Sequence, residues 1–252
     1  MIAMQGSASG RSRRSAWAAI GAALLLVLAT GSASAQVSVP GTSNPYLAGL
    51  PAGSSCCSGD VAPTNSPVQV AVTLSPGATV TFSATGGVDN TGAVPSLPPD
   101  GGGVFSTSPN NGISGGTWPI NALVGVFLDG SLPTSSPAPA DLDFSGTGIG
   151  TSFTTLSPAL KQVFFIGDGL TGTGTGSTQT FVVPAGATRL FLGTTDGFGW
   201  FNNSGAFSVI VNSSAVPPPI AGAAAIPTLS EIMLVLLGLA LTVATVFALR
   251  RR

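Results

Sequence analysis

The stretch VQVAVTLSPGATVTFSA, residues 68–84, decides how the chain folds. Val68, Val70, Val72 and Leu74 alternate with Gln69, Ala71 and Thr73, the period-two pattern of a half-buried strand. Ser75-Pro76-Gly77-Ala78 has turn chemistry: proline presets its φ and glycine supplies backbone freedom. Residues 79–84 then resume the alternation, so the stretch reads as strand, turn, strand. Five further segments are predicted as strands: residues 122–128, 162–166, 179–183, 188–193 and 206–211. Residues 171–177 form a glycine-threonine hairpin loop between two of them. Residues 86–120 read as a long loop region, and 129–160 as a Ser/Pro/Thr-rich one. Seven short strands separated by turn signals predict an all-β domain, a sandwich or jelly roll, over residues 68–211.

The flanks differ in composition. Residues 1–35 read as a secretory signal peptide. Arg11, Arg13 and Arg14 precede an apolar run from Trp17 to Ala29, and Ala33-Ser34-Ala35 is a small-residue cleavage site. Residues 36–67 form a Pro/Gly/Ser-rich lead-in, expected to lie draped on the domain through Tyr46, Leu47 and Leu50. Residues 212–225, with Pro217-Pro218-Pro219, are a semi-rigid linker. Residues 232–249 carry no charge and no proline. As a helix they span roughly 27 Å at ~1.5 Å per residue, enough to cross a bilayer. Arg250, Arg251 and Arg252 follow, and arginines beside such a span stay cytoplasmic. The expected localisation is export with a C-terminal transmembrane helix in the inner membrane.

Six of the eight basic residues lie in these two terminal segments. Between Gln36 and Pro227 the chain has eight Asp against Lys161 and Arg189. No basic patch offers a surface to nucleic acid. The chain contains no His, which excludes Ser-His-Asp and Cys-His catalysis and His-type zinc hydrolysis. Asp141 and Asp143 are spaced like a carboxylate pair but stand in a polar stretch, where a solvated loop is the expectation. The expected protein is not an enzyme. Cys56 and Cys57 are adjacent; a vicinal disulfide, a cross-link between chains and a loop feature without consequence all remain open.

The loop before the last strand, residues 194–205, is the candidate site. Asp196 offers a carboxylate, Asn202 and Asn203 offer amide oxygens, and the glycines let carbonyls turn inward. A hard cation such as Ca²⁺ takes six to eight such oxygens. An ordinary hairpin, in which these side chains bond only their own turn, is the competing reading.

Two resemblances extend these readings. Ile226-Pro227-Thr228-Leu229-Ser230-Glu231, followed by an apolar span and an arginine cluster, resembles the IPTL-CTERM sorting domain, a relative of the PEP-CTERM signals. This implies an exosortase-type sorting enzyme as partner, with release to the cell surface or beyond. The phrase NNSGAFSV at 202–209 resembles the end of the bacterial calcium-dependent galactose-binding lectins. SPGATVTF at 75–82, ATG at 84–86 and NALVGV at 121–126 are similar to earlier segments of that family. The resemblance implies calcium held by Asp196, Asn202 and Asn203, by a carbonyl near Gly199 and by one near Asn90, with sugar hydroxyls completing the shell. The lectins place a His beside the sugar. Asp100 stands in the corresponding wall here, and Trp200 or Phe201 would stack on the sugar face. Together these expectations describe a carbohydrate-binding module of an extracellular polysaccharide or biofilm matrix. The alternative is a structural matrix or surface-layer component that binds no sugar.

Overall fold

The computed structural model describes residues 33–214, together with Leu239, Val246, Phe247, Leu249 and Arg250. Between residues 33 and 214 the protein is all-β. In chain order the strands begin with β1 (Ala33–Pro40), β2 (Ser55–Cys56), β3 (Asp60–Val61), β4 (Val68–Val70) and β5 (Thr79–Asp89). They continue as β6 (Val104–Thr107), β7 (Gly116–Pro119), β8 (Leu123–Leu128), β9 (Leu142–Asp143), β10 (Thr155–Leu156) and β11 (Val163–Phe165). The last five are β12 (Leu170–Gly172), β13 (Thr175–Thr178), β14 (Thr180–Val182), β15 (Arg189–Thr194) and β16 (Ser204–Ser213). Short 3-10 turns lie at Pro45–Leu47, Pro133–Ser135 and Trp200–Asn202.

Two sheets dominate. One has the order β1-β16-β5-β14-β10, the other β11-β8-β15-β4. In the first, β16 alternates: Phe207, Val209 and Val211 are buried while Ser208, Ile210 and Asn212 face out. In the second, every residue of β8 is buried, so both faces of that strand are covered. A run of rings joins the sheets. Phe127 stacks on Phe164 at 5.2 Å, Phe164 meets Phe181 at 5.2 Å, and Phe181 meets Phe82 edge-on at 5.1 Å. The two sheets thus share one core, an arrangement consistent with a β-sandwich.

The structure departs from expectation in several places. Residues 171–177 are not the loop of a hairpin: they carry most of β12 and of β13, and β11 and β14 on either side belong to different sheets. Residues 68–84 do not make a paired hairpin. β4 pairs with β15 and β5 with β16 and β14, so the Ser75–Ala78 turn carries the chain from one sheet to the other. Residues 86–120 are not one loop, because β5 runs on to Asp89 and β6 and β7 pair antiparallel. Three of the glycines that suggested a loop, Gly86, Gly87 and Gly116, are strand residues. Gly86 has φ +108°, and a Cβ there would meet the Ala206 carbonyl oxygen at 2.5 Å, a close approach only glycine allows. Residues 36–67 are continuous with the core: β1 forms an edge of the larger sheet, paired along its whole length with residues 206–213 of β16. The 3-10 turn Pro45–Leu47 is buried against β8 and β15.

Among the described residues no helix is long and apolar enough to cross a membrane. Residues 1–32 of the expected signal peptide, the linker beyond Ser214 and the sorting residues Ile226, Pro227, Thr228, Leu229, Arg251 and Arg252 lie outside the described residues. The expected span at 232–249 does so too, apart from single positions. The expected cleavage site, Ala33-Ser34-Ala35, instead begins β1, where Ala33 and Ser34 pair with Ser213 and the expected linker residue Asn212 of β16.

Phe181 is fully buried at the centre of the ring chain. Phe181→Ala is expected to cost about 3–5 kcal/mol, lowering the melting temperature by roughly 10 °C. Ile210→Ala, on the outward face, should change stability by no more than about 0.5 kcal/mol. Differential scanning calorimetry of the two variants checks both.

Candidate functional site

The loop from β15 to β16 passes from one large sheet to the other at their shared end. Its start is fixed by Thr195, which is buried. The Thr195 hydroxyl donates to the Pro119 carbonyl (2.6 Å) and accepts from the Ala122 N–H (2.8 Å), while its carbonyl accepts from the Asn121 N–H (2.9 Å). Asp196 follows, 5% exposed. Its Oδ1 accepts from the Phe198 N–H (3.1 Å); its Oδ2 is buried and has no hydrogen bond. The Trp200–Asn202 turn then bends the chain back, closed by the Asn203 N–H on the Trp200 carbonyl (3.0 Å).

Asn203 is buried. Its Nδ2 donates to the Gly41 carbonyl (3.1 Å), and its Oδ1 has no partner. The Gly41 carbonyl also accepts from the Thr194 hydroxyl (2.7 Å). A Cβ on Gly41 would come within 2.6 Å of the Ser204 carbonyl oxygen and 3.3 Å of the Asn203 Cβ, so glycine is needed for Asn203 to pack here.

Burial pushes the Asp196 carboxyl above its ordinary value of 3.8. The Phe198 N–H bond and the closeness of the polar Asn203 side chain and the Gly197 N–H oppose that rise, and the nearby Asp60 carboxyl adds to it. The Asn203 side chain is thus near enough to favour the carboxylate, although no directed bond reaches Oδ2. Asp60 is fully buried. Its Oδ2 accepts from the Trp200 N–H (3.0 Å) and the Asn44 Nδ2 (3.0 Å), while its Oδ1 is also unpartnered.

The other expected residues scatter. Asn202 is exposed, because consecutive side chains around the 3-10 turn diverge; the twin amides are not brought to one point. The Asn90 Oδ1 accepts from the Asn121 Nδ2 (3.1 Å), and the Asn121 Oδ1 is buried without a partner, as are Asp100 Oδ2 and Gln179 Oε1 away from this loop. Gly199 is the extended residue that opens the 3-10 turn. Trp200 is not a sugar platform. It is 2% exposed, its indole N–H donates to the Thr194 carbonyl (2.8 Å), and its ring meets Tyr46 edge-on. Asp100 lines a separate cavity of about 210 Å³ with Thr151, Ser152 and Leu170. Its Oδ1 accepts from the Asp168 N–H (3.0 Å). Asp141 and Asp143 are exposed, and Asp143 caps its own turn through the Ser145 N–H (2.8 Å). Cys56 and Cys57 are bonded to each other.

A cleft of about 480 Å³ opens beside Asp196, lined by Tyr46, Ser106, Thr107, Asn110, Asp196 and Phe198 among others. This is within the usual range for ligand pockets, roughly 300–1,000 Å³. The Phe198 ring is 74% exposed. Tyr46 and Thr107 share a hydroxyl–hydroxyl hydrogen bond. Burial, the dominant effect, pushes the Tyr46 pKa up to about 12, so it stays a neutral donor and acceptor. Cys57 and Ser58 complete one wall. Phe198 stands two residues after Asp196, but sequence reasoning passed over it for Trp200 and Phe201. Asp60 carried no local signal at all. No family model and no curated protein matches this chain.

The raised Asp196 pKa fixes the sign of a pH effect. The folded chain holds this proton more tightly than the unfolded one, so the contribution is fully present below the ordinary carboxyl range and is lost as pH rises. Asp89 and Asp143, held low by bonds from Thr91 and Ser145, act oppositely, so the comparison must be between variants. In chelator, from about pH 4 to 7, the melting temperature of the wild type should fall relative to Asp196→Asn. Parallel curves for the two proteins would contradict this.

Proposed function

We propose that this chain is an exported, surface-sorted carbohydrate-binding module that depends on calcium and acts in an extracellular polysaccharide matrix. The observation that carries the metal reading is the pair of unpartnered oxygens, Asp196 Oδ2 and Asn203 Oδ1, in side chains at least nine-tenths buried. Leaving a buried polar atom without a partner costs on the order of 1–3 kcal/mol, more for a charged one. A hard cation removes that cost, and carboxylate with amide oxygens is its preferred donor set. Asp196 and Asn203 would hold the ion. Bound there, calcium would offer its open positions to vicinal hydroxyls of a sugar. The carbonyls near Asn90 and Gly199 are further donors suggested by the lectin resemblance; Asn202, exposed and turned away from Asn203, is left out of the site.

The cleft supports the carbohydrate half of the reading. One exposed ring, Phe198, stands over a wall rich in hydroxyls: Ser58, Ser106, Thr107 and Ser108. Sugars present an apolar C–H face and a polar rim, and this wall offers a surface for each. Phe198 replaces Trp200 as the stacking side chain, and Asp100 has no part in this cleft. The finer architecture proposed is a lectin-type sandwich with a jelly-roll-like course. Two sheets exchanging the chain at each end, with the site on an inter-sheet loop, favour it.

Export through residues 1–35 and sorting through 226–252 by an exosortase-type enzyme complete the proposal. They rest on the sequence signals alone. Arg250, Arg251 and Arg252 would hold the tail on the cytoplasmic side during sorting.

Calorimetric titration of the full chain with calcium should show one site, weakened at least about tenfold in Asn203→Ala. Binding to extracellular polysaccharide should vanish in chelator. Phe198→Ala should weaken polysaccharide binding while leaving calcium affinity unchanged. No calcium heat, with oligomers that persist in chelator and no glycan bound, would favour a purely structural matrix component instead.

A further inference from the structure

Asp60 and Asp196 are far apart in sequence yet grip the same five-residue turn. Asp196 Oδ1 accepts the Phe198 N–H at 3.1 Å, and Asp60 Oδ2 accepts the Trp200 N–H at 3.0 Å. Each has its second oxygen buried and without a partner. The Asp60 charge reaches Asp196, where it disfavours ionisation. The hairpin that carries Asp60 is tied to the same turn by the Ser58 N–H on the Phe198 carbonyl (3.2 Å).

The cationic side chains within residues 33–214 are engaged elsewhere. Lys161 donates to the Ser136 hydroxyl and to the Ser136 and Pro137 carbonyls. Arg189 donates to the Asp129 and Ser131 carbonyls. Two adjacent buried carboxyls with no counter-charge are costly, because each is desolvated and each repels the other. One divalent ion between them answers both costs. Two carboxylates would also neutralise it, leaving an uncharged site suited to neutral hydroxyl ligands.

We infer that Asp60 is the second carboxylate ligand of the calcium site. The ion is then held between the N-terminal β2–β3 hairpin and the 196–203 loop. This rests on the calcium reading above and extends it, since the lectin resemblance points to no residue in this hairpin. Asn44 makes the arrangement specific. Its Nδ2 donates to Asp60 Oδ2 (3.0 Å), and its Oδ1 accepts from the Tyr46 N–H (2.8 Å), which places the carboxyl relative to the cleft floor. Cys57 and Ser58 belong to both the hairpin and the cleft wall. Metal binding therefore clamps the segment that shapes the sugar cleft, and an empty site leaves that wall held by hydrogen bonds alone.

The test uses the full chain with calcium chloride as titrant. Asp60→Asn should weaken calcium binding at least about tenfold, comparably to Asp196→Asn, and should melt in chelator no lower than the wild type, since one of two like charges is gone. Hydrogen exchange on the wild type is the second measurement and needs no variant. Calcium should slow exchange in residues 55–65 as well as 196–203. Asp60→Asn titrating like the wild type, or protection confined to residues 196–203, would overturn this inference and leave the calcium reading standing. No binding by the wild type would overturn both.

Discussion

A strand with every side chain buried needs cover on both faces, and β8 is such a strand. Leu123–Leu128 is apolar throughout and has no residue for water. One face meets the larger sheet through the Phe127–Phe164–Phe181–Phe82 run. The other needs a second layer, and the N-terminal segment supplies it. Tyr46 and Leu47 are buried over β8 and β15. Close backbone approach at Gly193, where a Cβ would sit 2.6 Å from the Ser43 carbonyl oxygen, lets them lie flat. Burying residues of this size yields roughly 1.5–3 kcal/mol each, enough to fix the segment's path. Everything attached to it follows, including the disulfide-bearing hairpin and Asp60.

That path explains how polar groups become buried at one end of an apolar core. The turn after Asp196 lies where β15 leaves one sheet and β16 enters the other. Its backbone N–H groups have no strand to pair with, and carboxyl oxygens take them: Asp196 for Phe198, Asp60 for Trp200. Each carboxyl satisfies the turn with one oxygen and is left with the other. Neutral caps would serve the turn equally well, since asparagine accepts the same bond without a charge to desolvate. Two aspartates in this position are an expense that folding alone does not require.

How much of this is legible in the sequence depends on the range of the interaction. The alternation in 68–74 and 79–84 and the apolar run at 122–128 are local, and the strands form near where they are predicted. The pairing partners are not local. A Pro-Gly turn looks the same whether it closes a hairpin or carries the chain between sheets, and β4 and β5 take the second course. At the site, Asp196 and Asn203 were visible as oxygen donors in a glycine-rich loop. Asn202 pointed outward because the 3-10 turn separates neighbouring side chains. Trp200 was ambiguous, as an indole suits a core or a sugar, and the Thr194 carbonyl that satisfies its N–H decides for the core. Asp60 could not be found locally, since its partners Asn44 and Trp200 lie on opposite sides of it in the chain.

The two functional readings make different use of these buried oxygens. A building block valued only for its shape gains nothing from them, and replacing Asp60 and Asp196 by amides would relieve repulsion at no loss of packing. A metal-dependent binding module needs the opposite: negative donors held in place before the ion arrives, so that binding does not have to order them. Asn44, the Phe198 and Trp200 N–H groups and the Gly41 carbonyl hold one polar atom of each of these side chains and leave the other oxygen bare. One atom anchored and one free also describes Asn121, Gln179 and Asp100. What sets Asp60 and Asp196 apart is that two carboxyls grip one turn with no cationic side chain among the described residues paired to either, and a purely structural role has no use for that.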